Sequence, residues 1–297
     1  MKVGILGGGR WGQALARLVI AAGGDPLIAY EGKRPPHVLP STNDPALVPP
    51  TCDLLLVATS AAEVRRAICD ARPGPGNRVV VAGRGIEPAS GRWLTEVVTE
   101  ASPVLRVGAL AGAAPVEEIL NGGLCAGVVA SPFEEVRVLT TAALHSSRYR
   151  VYESADLAGV QLAGALVPVL QATLGMALSL QGAGVGLHAL VLTRGLEEAT
   201  RLARAFGADP LTLLGLAGVG DLVATATTSA AWAAGRDLAA GKRDQGPASL
   251  ARAVHGLALS KGVELPLIAG LVAVYDGQSP LDVLASLMSR KAQPEHR

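Results

Sequence analysis

Short apolar runs alternate with helix-period segments over the first half of the chain. Runs of strand type stand at residues 2–6, 27–30, 54–59, 78–82, 104–109, 125–130 and 149–153. Between them, residues 11–22, 61–71, 92–100, 115–120 and 132–144 read as helices. Runs such as Leu54-Leu55-Leu56-Val57 are apolar at every position, the mark of strands buried on both faces. Strands of that kind, alternating with helices, imply a parallel sheet covered on both sides.

From about residue 156 the strand pattern stops. Residues 157–180, 189–206, 210–216, 230–240, 249–261, 267–275 and 280–289 read as helices. Pro210 and Pro280 suit first-turn positions, and Gly207 and Gly262 suit helix ends. The pattern therefore predicts an α/β domain over residues 1–153 and an all-α domain over residues 154–297. Residues 157–193 carry no Asp, Glu, Lys or Arg, a length that meets the crude criterion for a membrane span. Gln161, Pro168, Gln171 and the glycines of Gly182-Ala183-Gly184-Val185-Gly186 oppose that reading. Two buried helices joined by a glycine loop are expected instead, with no membrane span.

The first strand runs directly into Gly7, Gly9 and Gly12, spaced G-x-G-x-x-G, and then into a helix-forming segment. Strand, glycine turn and helix in that order is the context a dinucleotide fingerprint needs. The first glycine allows the tight turn, the second lets a pyrophosphate approach the backbone, and the third lets the helix pack on the strand. A Rossmann-type N-terminal domain is thus predicted, with a dinucleotide as its ligand. After the second strand, Glu31 stands where an acidic residue accepts the ribose 2′-hydroxyl of NAD. Lys33 and Arg34 follow at once and suit the 2′-phosphate of NADP, so NAD is favoured and NADP stays open.

Composition narrows the rest. The 297 residues are 49% hydrophobic and 17% charged, with a net charge of +1 and 3% aromatics. That balance gives no basic patch and no stacking platform for nucleic acid. Cys52, Cys69 and Cys125 form neither a disulfide framework nor a metal-ligand spacing. The N-terminus reads as a strand rather than a leader, so a reducing, cytoplasmic compartment is expected.

Several stretches together resemble the NAD(P)-dependent glycerol-3-phosphate dehydrogenases of bacteria. Residues 7–16 are similar to the family's GAGSWGTALA, and Gly83-Arg84-Gly85-Ile86-Glu87-Pro88 to its TKGIEP. Residues 159–166 look like GVELGGAL, Leu192-Thr193-Arg194-Gly195-Leu196 like ITRGL, and residues 215–222 like GLAGLGDL. Gly262-Val263-Glu264-Leu265-Pro266 and Gly277-Gln278-Ser279-Pro280 resemble the family's C-terminal helices. The resemblance runs the whole length in one order. It implies a helical second domain, a homodimer, and a small phosphorylated substrate. Gly7, Gly9, Arg10, Trp11, Gly12, Glu31 and Gly112 are the expected cofactor-binding residues.

The site residues depart from the family pattern. The family's proton-accepting lysine, in GALKNV, is Val167 here, with Pro168 beside it. A second lysine, in TKGIEP, is Arg84, which stays protonated and holds anions but cannot act as a base. The phosphate-gripping SRNR corresponds to Ser229-Ala230-Ala231-Trp232, and the serine of GPSFA is lost within Gly112-Ala113-Ala114-Pro115-Val116. Asp221 and Thr225 remain, so Arg84, Asp221 and Thr225 are the surviving catalytic candidates. Asp221 also has a plain alternative, capping the helix that follows it. His188, in the charge-free stretch, is the one other candidate base. Three readings stay open: a working dehydrogenase of this family, a catalytically silent dinucleotide-binding relative, and a dehydrogenase for a different, less anionic substrate.

Overall fold

The architecture follows from where the apolar runs bury. The computed structural model describes residues 1–32, 39–226, 228–243 and 245–290, without the side chains of 245–247. Lys33 and Arg34 fall outside the described residues. Among those residues the strands are β1 (Lys2–Leu6), β2 (Asp25–Ala29), β3 (Ser41–Thr42), β4 (Leu54–Val57), β5 (Arg78–Val81), β6 (Arg106–Ala111), β7 (Cys125–Ala130) and β8 (Tyr149–Ser154). They form one sheet in the order β3-β2-β1-β4-β5-β6-β7-β8. The helices α1 (Arg10–Ala21), α2 (Val64–Ala71), α3 (Leu94–Ala101), α4 (Val116–Leu120) and α5 (Glu134–Leu144) connect the strands. This is the expected α/β domain of Rossmann type, and an all-α region follows it.

The sheet departs from the all-parallel expectation at one place. β6 and β7 pair antiparallel, while every other neighbouring pair is parallel. The cause is the connection. A parallel return needs a crossover that carries the chain back along the sheet. Here α4 has only 5 residues, about 7.5 Å of helix, too short to span a six-residue strand of about 20 Å. The chain therefore turns at Gly112 (φ 144°), passes through α4, and returns beside β6 in the opposite direction. A Cβ there would lie 2.6 Å from Gly127 Cα, so the turn is closed to larger residues.

After β8 the helices are α6 (Leu157–Leu178), α7 (Val185–Ala205), α8 (Pro210–Leu214), α9 (Asp221–Thr225), α10 (Ala230–Ala239), α11 (Gln245–Ser260), α12 (Pro266–Tyr275) and α13 (Pro280–Met288). α6 is long and apolar enough to cross a membrane, and 78% of its most apolar window is buried inside the protein. It is the central helix of the second layer. Asp156 starts it, accepting from Gly159 N at 2.9 Å, and also accepts from Asp209 N and the Thr212 hydroxyl. That one carboxylate fixes α6 against α8. α7 begins at Val185, earlier than the glycines suggested, so the break between the two helices falls at residues 179–184.

Small residues let α10 approach α6 closely. A Cβ on Gly235 would meet Ala172 O at 2.1 Å, and one on Gly175 would meet Trp232 O at 2.3 Å. The helical layer shares one hydrophobic cluster with the sheet, in which Ile86, Ala109 and Ala130 pack with α6, α11 and α12. This packing brings α9 and the start of α10 against the carboxyl ends of β5 and β6, the placement that creates the site.

Candidate active site

The glycine turn is built as its spacing implies. Gly7 has φ 116°, and a Cβ there would lie 2.8 Å from Ala58 O. A Cβ on Gly12 would lie 1.9 Å from Gly7 O, so the helix closes onto the turn only because Gly12 has none. Gly9 has nothing within 4 Å and leaves its backbone open to a ligand. Two clefts meet here, at the carboxyl ends of the strands where the order reverses between β1 and β4. The smaller, about 290 Å³, is lined by Gly7, Gly8, Gly9, Glu31 and the first turns of α2. The larger, about 590 Å³, is lined by Trp11, Arg84, Gly112, Tyr149, Thr225 and Ser229 among others. Ala58, Thr59 and Ser60 line both.

The residues fit an extended dinucleotide. The backbone at Gly9 is unobstructed, and the N-terminus of α1 supplies free N–H groups beside it. The buried Thr59 hydroxyl, at the junction of the clefts, has no partner among the described residues. Trp11 donates from Nε1 to Ala82 O at 2.8 Å, so its ring is fixed as a wall of the larger cleft. Arg10 is engaged elsewhere: its guanidinium binds the Glu117 carboxylate of α4, and its side chain is 63% exposed. Glu31 lines the smaller cleft, where it is held by Arg66.

At the far end, Arg84 and Asp221 form the central contact. Arg84 Nη2 donates to Asp221 Oδ1 at 2.5 Å, and Asp221 is fully buried. The Thr225 hydroxyl donates to Asp221 O at 2.7 Å, stands 3.4 Å from Oδ1, and accepts from Gln171 Nε2 at 2.6 Å. Asp221 Oδ2 and Gln171 Oε1 have no partner among the described residues. Burial raises the Asp221 carboxyl to about 6, against the lowering pull of the Arg84 charge and the Thr225 hydrogen bond. Asp221 is placed by a π-helical turn, Leu216–Gly220, in which Gly218 packs against the Leu213 carbonyl. The helix-capping alternative for Asp221 does not hold: Gly220 takes the cap position, and no side-chain cap hydrogen bond forms.

Val167 is buried, at 2% exposure, in an apolar cluster with Leu170, Leu174, Ala177, Val191 and Leu222. It lines neither cleft. Ser229 caps α10 by accepting from Trp232 N at 3.0 Å, and Ala230 follows it into the larger cleft. Arg84 is then the one cationic side chain lining that cleft among the described residues. His188 is exposed on α7 and lines neither cleft, which removes it as a candidate base.

Tyr149 and Arg66 are among the lining residues that sequence reasoning does not single out. Tyr149 lies across the sheet so that a Cβ on Gly127 would meet its hydroxyl at 2.1 Å. Burial pushes its phenol well above the usual range, so it stays protonated and can donate a hydrogen bond. Tyr149 is paired with Cys125 and its ring reaches over Gly127 two positions along β7, a relation legible only once the register of the two strands is known. Arg66, the other, sits in a charged helical stretch that reads as an ordinary solvated face.

Models of the family described as NAD-dependent glycerol-3-phosphate dehydrogenase match residues 30–137 with the N-terminal part and 156–286 with the C-terminal part. A glycerol-3-phosphate dehydrogenase [NAD(P)+] of Ectopseudomonas mendocina is 34% identical, covering 96% of this chain and 94% of the relative. The chain belongs to the NAD-dependent glycerol-3-phosphate dehydrogenase family. Another glycerol-3-phosphate dehydrogenase [NAD(P)+], of Methylibium petroleiphilum, is 35% identical over 99% of this chain and 98% of the relative. The crystal structure of the Coxiella burnetii glycerol-3-phosphate dehydrogenase superposes with a TM-score of 0.87 at 24% identity, covering 97% and 99% of the two chains. That likeness in shape establishes the glycerol-3-phosphate dehydrogenase fold.

Proposed function

We propose that this protein binds a nicotinamide dinucleotide, NAD(H) foremost, and does not interconvert glycerol 3-phosphate and dihydroxyacetone phosphate. The observation that carries this is Val167, sealed among Leu170, Leu174, Val191 and Leu222 at the family's lysine position. When bound, the nicotinamide accepts or returns a hydride. The alcohol proton still needs a group that changes protonation state within hydrogen-bond reach. Valine has no such proton, arginine at position 84 keeps its own, and Asp221 lines neither cleft.

The phosphate subsite supports the same reading. A dianionic phosphate is held best by charge-assisted, bidentate donors. Ala230 and Ala231 supply none, and the charge of Arg84 is shared with Asp221. The dinucleotide half keeps its glycine cradle, and Gly7, Gly9, Trp11, Gly12, Glu31 and Gly112 are the residues we assign to it. The role that fits is a dinucleotide-responsive sensor, scaffold or partner subunit.

One observation favours a second reading, a dehydrogenase for a less anionic substrate: the protonated Tyr149 hydroxyl in the wall of the larger cleft. Calorimetric titration with NADH, followed by assay with dihydroxyacetone phosphate and a panel of uncharged ketones, separates the two. Binding without turnover of any of them supports the first reading. Turnover of dihydroxyacetone phosphate overturns it, and turnover of an uncharged ketone alone selects the second.

A further inference from the structure

A third concavity, of about 400 Å³, lies between the second half of α1, the end of α4 and the turn before β8. It shares no lining residue with either cleft. Leu18, Ile20, Leu39 and Ile119 give it an apolar wall, and among the described residues Arg17 and Arg148 are the charged groups that line it. Leu18, Leu39 and Ile119 are buried, while Ile20 is 48% exposed. Its volume falls in the range of small-molecule sites.

The two arginines depart from the pattern of their domain. Arg10, Arg65, Arg78, Arg92 and Arg106 each hold a carboxylate. Arg17 makes no hydrogen bond or ion pair among the described residues, and Arg148 donates only to Gly122 O, at 3.0 Å. The Glu118 side chain packs on Gly123 beside them and pairs with neither. One unpaired arginine is an ordinary solvated group. Two that line one apolar concavity, with no carboxylate in its described wall, leave a positive charge without an internal counter-ion. A guanidinium meets carboxylate or phosphate with paired donors, and apolar surface left to water is stabilised by whatever covers it.

We propose that this concavity binds a small amphipathic anion, with Arg17 and Arg148 holding an oxyanion head and Ile20 and its apolar neighbours covering an apolar tail. The head is a carboxylate or a phosphate monoester, since both offer the paired acceptors. The site stands about one helical turn from the larger cleft, because Val116 and Glu117 of α4 line that cleft and Ile119 lines this concavity. The inference goes beyond the dinucleotide reading and does not depend on it.

The test is ligand-observed NMR titration of the full chain in phosphate-free buffer, with and without saturating NADH. Octanoate and octyl phosphate are the probes, and butanoate and octanol are the controls. One saturable site per chain is expected for at least one charged probe, and the tighter of the two identifies the head. Arg17→Ala and Arg148→Ala are each expected to weaken that probe by about tenfold. Ile20→Ser is expected to weaken it by about threefold, and butanoate to bind at least about tenfold more weakly than octanoate. All three side chains are exposed, so these variants keep the fold. No saturable binding of either charged probe overturns the proposal, and so does binding unchanged in both arginine variants. Octanol that binds as tightly as octanoate marks adsorption to apolar surface and overturns it too. Displacement of the probe by NADH puts the anion in the clefts instead, with the same consequence. Failure of NADH itself to bind overturns only the dinucleotide reading.

Discussion

Arg84 donates from Nη2 to Asp221 Oδ1 at 2.5 Å, joining the loop after β5 to the first residue of α9 across 137 positions of sequence. Asp221 is fully buried and Arg84 is 35% exposed. The carboxylate is therefore the dependent partner. Its folded value of about 6 lies above the ordinary 3.8. Its contribution to stability is thus fully present below about 3.8 and is lost as pH rises through about 6. Removing the guanidinium raises the folded value further and enlarges that loss. Arg84→Ala is expected to cost about 2 kcal/mol at pH 7, below the roughly 3–5 of a fully buried pair because Arg84 reaches solvent. The cost at pH 4 is expected to be small. Urea unfolding midpoints at the two pH values check this.

Gly9 and Gly12 separate the cradle from the packing that supports it. Gly12→Ala places a Cβ 1.9 Å from Gly7 O, and a loss of about 3 kcal/mol in unfolding free energy is expected. Gly9→Ala meets nothing within 4 Å, so stability should hold to within about 0.5 kcal/mol. NADH affinity should nevertheless fall by about tenfold, since the methyl stands where a phosphate must approach. Thermal unfolding and NADH titration of the two variants read the two effects independently.

Glu198 gives a second dependence on pH. It is buried on α7 and accepts from Leu267 N at 2.7 Å and Ile268 N at 3.3 Å, closing the N-terminus of α12. Burial nonetheless raises it from 4.5 to about 7, against the lowering effect of the two N–H groups and of Arg201. Its contribution is fully present below about 4.5 and is lost as pH rises through about 7. Glu198→Gln keeps an acceptor oxygen and removes the titration. The fall in stability between pH 4.5 and 8 is expected to shrink by roughly 3 kcal/mol in that variant. Chemical unfolding across that range checks it.

Restoring a lysine at position 167 alone should not restore the family's chemistry. Val167→Lys buries an amine among Leu170, Leu174 and Val191, and Ala230 and Ala231 still offer no phosphate clamp. A stability loss of at least about 2 kcal/mol is expected. Turnover of dihydroxyacetone phosphate should stay at background. A thermal melt and a coupled NADH oxidation assay on the same preparation report both.

The sequence made some of this legible for physical reasons. Gly7 and Gly12 are forced by a positive φ and by a 1.9 Å approach, so their spacing carries the turn unaided. Leu54–Val57, apolar throughout, announces a central strand that is buried at every position. Strand direction has no such signature: the antiparallel return of β7 depends on the shortness of α4, not on the residues of β7. β3, two residues long, has no period to detect. Asp221 looked equally suited to capping because its partner lies 137 residues away and only the packed fold joins them. His188 is the lone histidine in a charge-free run, yet it is exposed on α7 and lines neither cleft.

NADH titration of the wild-type chain, followed in the same cell by dihydroxyacetone phosphate, tests the central claim most directly. The expected result is saturable NADH binding, weakened in Gly9→Ala, with no oxidation of NADH above background when the phosphate is added. NADH oxidation that saturates with dihydroxyacetone phosphate would contradict it.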